Sequence, residues 1–107
     1  MTDAVVVLTT LATEQEAELF VRALLDERLV ACGTILPRAR SFYRWEGKVA
    51  DESEVVVLLK TEWARLEALE AAFGRLHPYR VPELLALPVR HGLERYLGWI
   101  AGETRGA

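Results

Sequence analysis

Glu54-Val55-Val56-Val57-Leu58-Leu59-Lys60 is an unbroken apolar run, largely β-branched, between two charged ends. A run of this length reads as a strand with apolar side chains on both faces. Upstream of it, Ser41-Phe42-Tyr43-Arg44-Trp45 reads as extended chain, with Tyr43 and Trp45 two apart and therefore on one face. Glu46-Gly47 is a turn signal, so the two segments form a hairpin. Before the hairpin, Leu29 to Leu36 opens another strand, which Pro37 interrupts. Downstream, Thr61 offers a cap to a helix whose apolar stripe is Trp63, Leu66, Leu69, Phe73 and Leu76. Pro78 stops that helix and Pro82 prevents another from starting. Glu83 to Val89 reads as a last strand, and Pro88, which lacks an N–H, puts it at a sheet edge. Leu93, Tyr96, Leu97 and Ile100 then space out a short C-terminal helix.

The N-terminal part repeats the theme. Ala4-Val5-Val6-Val7-Leu8 is a second strand apolar on both faces. Thr13-Glu14-Gln15-Glu16 is a capping box that opens a helix carrying Ala17, Phe20, Val21, Leu24 and Leu25 and ending near Arg28. The order is β-α-β-β-α-β plus a terminal helix. It predicts an α+β, ferredoxin-like sandwich with an antiparallel sheet, helices on one face and right-handed crossovers.

Two helices cover one face of such a sheet. Strands apolar at every position leave a second face, of order 300 Å² from strand spacing and rise, too apolar for a monomer. A terminal helix of about ten residues is short for covering it. The pattern therefore predicts a homo-oligomer, with the long hairpin as a candidate for sheet extension between subunits.

At 107 residues the chain fits a single domain, residues 1–107. A net charge of −3 argues against non-specific binding to nucleic acid or anionic membrane. The aromatic-basic strand motif of sheet-based RNA binders is missing. One cysteine forms no internal disulfide, the first residues lack a basic leader region, and no apolar run spans a bilayer, so the expected setting is cytoplasmic.

The residues that could carry chemistry are few. The soft or borderline metal donors are Cys32, His77, His91 and Met1. No CxxC, CxH or HxxxH spacing builds a closed site, so a thiolate–imidazole centre needs several chains or water. Cys32 also suits a small buried apolar position, and His77 suits a helix C-terminus. His91 lies in a turn context and is assigned no role. Glu83 and Lys60 stand at strand ends, where a charge is either solvated or turned into a pocket. Tyr43, Trp45 and Tyr79 serve equally as packing residues or as cleft walls with polar tips. No nucleophile elbow, phosphate loop, dinucleotide fingerprint or HExxH is present, which argues against an enzyme and against an organic cofactor.

Several segments, taken together, resemble the CutA divalent-cation tolerance family. They are Cys32 through Pro37, Ser41-Phe42-Tyr43-Arg44-Trp45-Glu46-Gly47-Lys48, Lys60-Thr61, His77-Pro78-Tyr79-Arg80-Val81-Pro82-Glu83 and Tyr96-Leu97-Gly98-Trp99-Ile100. The similarity runs from about Val5 to Ile100. It implies a homotrimer built like the PII signalling proteins and a role in tolerance of divalent metals, chiefly copper. It implies that Cys32 and His77 match residues discussed as metal-interacting, with copper or another divalent cation weakly bound. Some relatives carry a Cys at Thr9 and a His at Leu76, and losing both donors here argues against tight copper binding. The resemblance further implies that Tyr43, Trp45, Lys60, Tyr79 and Glu83 line or adjoin a cleft between subunits. Such a cleft alternatively suits a PII-like sensor or scaffold that takes a small anion or metabolite, or meets a partner protein.

Overall fold

The structure is a computed structural model that describes residues 2–105, so Met1 lies outside the described residues. The elements are β1 (Ala4–Leu11), α1 (Glu14–Asp26), β2 (Cys32–Trp45), β3 (Lys48–Glu62), a 3-10 turn (Trp63–Arg65), α2 (Leu66–Leu76), β4 (Leu85–Pro88) and α3 (Glu94–Glu103). The sheet order is β2-β3-β1-β4, antiparallel throughout, as the ferredoxin-like reading requires. Pro88 does lie on an edge strand, which is four residues long and opposes Val5 to Leu8.

Alternation along the strands sets the core. Val5, Val7 and Leu11 of β1 and Val55, Val57 and Leu59 of β3 are buried against Phe20 and Leu24 of α1 and Leu69 and Phe73 of α2. Each fully buried aliphatic or Phe side chain contributes about 1.5–3 kcal/mol. Thr13 caps α1 by accepting from the Glu16 N–H at 3.1 Å.

Four local expectations change. Leu29 to Ala31 are not strand. Arg28 turns left-handed (φ 54°), and Leu29, Val30 and Ala31 are apolar because they plug the core at the helix-to-strand reversal. Pro37 does not end β2. Leu36 opposes Val56 and Ala39 opposes Glu54, so Pro37 and Arg38 (φ 62°) form a bulge and the strand continues. Thr61 does not cap α2. Its hydroxyl donates to the Leu29 carbonyl at 2.7 Å in the core, β3 runs on to Glu62, and the helix is entered through the 3-10 turn. The last strand is shorter than Glu83 to Val89, because Glu83 and Leu84 precede the pairing with β1.

The hairpin is longer and more regular than its sequence suggests. Trp45 opposes Lys48 across Glu46 and Gly47, with φ values of 50° and 79°. Positive φ at both central residues is the I′ geometry that matches strand twist.

The helix-free face carries the other half of the alternation. Val6, Leu8, Val56 and Leu58 are half-buried, and Leu85, Leu87 and Leu36 are exposed beside them. The terminal helix α3 lies over one end only, where Ile100 and Leu97 pack on Ala4, Ala31 and Val89.

Candidate functional site

Strand register builds a cleft of about 520 Å³ at the end of the sheet that α3 leaves open. Ala39 opposes Glu54 and Tyr43 opposes Ala50, so Ser41, Tyr43, Trp45 and Glu54 project from one side of the β2–β3 ribbon. The segment joining α2 to β4 supplies Tyr79, Arg80 and Glu83 to the same cleft. Pro78 and Pro82 keep that segment from continuing as helix, and it bends at Tyr79, Arg80 and Val81.

Glu54 is 7% exposed and accepts a hydrogen bond from the Tyr79 hydroxyl at 2.7 Å. Among the described residues neither Glu54 nor Glu83 takes part in an ion pair. Burial first, and the nearby Glu54 charge second, push the Glu83 carboxyl above its usual range. Burial and the Glu54 carboxylate likewise push the Tyr79 phenol well above its ordinary value.

His77 sits beneath this cleft, 7% exposed, at the C-terminus of α2. The Tyr79 N–H donates to Nδ1 at 3.1 Å, which fixes Nδ1 as the acceptor and leaves the proton on Nε2. Nε2 lies 3.0 Å from the Thr10 carbonyl and 3.3 Å from the Thr9 hydroxyl oxygen. Phe20, Phe73 and Tyr79 rings surround the imidazole at 4.9–5.6 Å between centroids. Burial lowers its pKa, against smaller opposing contributions from Thr10, Glu16 and Glu54, and keeps the ring neutral.

Cys32 and Lys60 stand at the other end of the sheet, opposite one another on β2 and β3. Lys60 Nζ donates to the Tyr96 hydroxyl oxygen at 3.1 Å, and Cys32 Sγ lies 3.8 Å from that oxygen. The Tyr96 hydrogen bond is the main reason the Lys60 pKa is raised.

The candidates thus divide. Tyr43, Trp45, Tyr79 and Glu83 share the cleft, while Lys60 joins Cys32 and Tyr96. Cys32 is level with Lys60 and Val6, and His77 is level with Thr10. Four residues of strand separate those levels, about 13 Å at a rise of about 3.3 Å per residue. Within one chain Cys32 and His77 do not share a site, and among the described residues no group of three His, Cys, Asp or Glu side chains is placed to hold a metal ion.

Sequence reasoning missed Glu54 and Tyr96. Glu54 reads as the charged end of an apolar run, and only the bulge-shifted register of β2 brings Ser41, Tyr43 and Trp45 to its side. Tyr96 reads as one position of an amphipathic stripe, and its hydroxyl gains meaning only once α3 docks beside Lys60. The signal available for Glu54 was its even spacing with Val56 and Leu58, which assigns it to the helix-free face.

Comparison with known proteins agrees with this architecture. The profile of the CutA1 divalent ion tolerance protein family matches residues 5–103. The divalent-cation tolerance protein CutA of Pectobacterium atrosepticum is 45% identical over 103 residues, covering 96% of this chain and 94% of that protein. The crystal structure of CutA from Xylella fastidiosa superposes with a TM-score of 0.94 at 40% identity, covering 97% of this chain and all of that one. The CutA of Archaeoglobus fulgidus, described as a periplasmic divalent cation tolerance protein, superposes with a TM-score of 0.91 at 29% identity, covering 95% of this chain and 99% of that one. With its βαββαβ sheet and a match over nearly its whole length, this chain belongs to the CutA1 divalent ion tolerance family.

Proposed function

We propose that the chain acts as a cytoplasmic homotrimer that binds copper or another divalent cation weakly at or near clefts between subunits. The observation that carries this reading is the helix-free face, where Leu85 and Leu87 stay exposed beside half-buried Val6, Leu8 and Leu58. Burying that face against copies of itself creates the clefts. Cys32 and His77 are the proposed ligands, and their separation within one chain makes assembly the way to complete a site. Binding is weak for a physical reason. A metal must displace either the Tyr79 N–H from Nδ1 or the Nε2 proton that faces Thr10, and one thiolate with one imidazole falls short of four ligands. The relatives carry the names of tolerance proteins and not of enzymes, and the reading assigns no reaction and no organic cofactor.

Calorimetric titration with Cu²⁺ and Zn²⁺ tests the ligands. Weak binding to the intact chain, reduced at least tenfold in Cys32→Ser and in His77→Ala, supports them. Unchanged binding in both variants removes them.

A second reading, a PII-like sensor or scaffold, is favoured by the cleft itself, which combines Tyr43, Trp45, Tyr79 and Glu83 in a volume suited to a small molecule. A thermal shift with one metabolite, and none with metals, selects it.

A further inference from the structure

We draw no further inference here: the strongest candidate, the N-terminus of α2, where among the described residues no hydrogen-bond partner meets the buried Arg65 Nε and no side chain caps the helix, rests on a helix end and a half-buried arginine alone, and nothing in the structure shows what would pair with them.

Discussion

The Tyr79 hydroxyl reaches Glu54 Oε2 at 2.7 Å and ties the segment between α2 and β4 to the long β2–β3 ribbon. That bond joins residues 25 positions apart and closes the inner end of the cleft. Removing the donor leaves a nearly buried carboxylate without its partner. Tyr79→Phe should therefore lower stability by about 1.5–3 kcal/mol, the range for a hydrogen bond to a charged group. Denaturant titration of the two proteins reads this directly. Phenolate absorbance adds a second check. Tyr79 should stay un-ionised at alkaline pH where ordinary tyrosines titrate, because burial and Glu54 hold its pKa up. The Tyr79→Phe variant should then lose none of the early phenolate signal.

His77 makes stability depend on mild acid. Its folded-state pKa lies below the ordinary value of 6.5, chiefly through burial. The unfolded chain therefore binds more protons than the folded one as pH falls through that value. Stability should be fully present above about pH 6.5 and decline as pH falls through the lower, folded-state pKa. Protonation also puts a hydrogen on Nδ1, against the Tyr79 N–H that donates to it. Thermal melts between pH 8 and pH 5 should show the decline, and His77→Gln should flatten it. An equal slope in both proteins would assign the effect to other groups.

Gly33 marks a close approach of α1 to β2. A Cβ built there meets Val21 Cγ1 at 2.8 Å, Val21 Cγ2 at 2.9 Å and Leu59 Cδ2 at 3.1 Å. Val21 is β-branched and buried, with little freedom to move aside. Gly33→Ala should cost about 1–3 kcal/mol by overpacking. Pairing it with Val21→Ala should recover part of the loss, and a double-mutant cycle measures the coupling.

The proposed trimer predicts a different response at β4. Leu87 is 51% exposed and opposes Val6 on the helix-free face. Leu87→Glu leaves the helix-side core untouched and places a charge in the proposed interface. Multi-angle light scattering should find the wild type near three chain masses and the variant shifted toward one. A wild type that stays at 12.0 kDa under dilution overturns the trimer.

Much of the fold was legible because it is periodic. Val55 to Leu59, Ala4 to Leu8 and the stripe through Phe20 and Phe73 follow strand and helix spacings, which local sterics impose on any chain. Thr13 at the start of α1 and Glu46-Gly47 at the hairpin were readable for the same reason, since each acts on residues within four positions. Thr61 shows the boundary of that logic. It has the chemistry of a cap, but its hydroxyl donates instead to the Leu29 carbonyl, 32 positions away in the core.

The sequence alone therefore determined the order of elements, the edge position of Pro88 and the pairing of Tyr43 with Trp45 on one face, because these follow from short-range geometry. Tertiary structure decided the rest. The bulge at Pro37 and Arg38 set which β2 side chains share a side with Glu54, the docking of α3 joined Tyr96 to Lys60, and the sheet held Cys32 and His77 apart. Contacts of that kind depend on where distant segments meet in space, and local spacing carries no record of them.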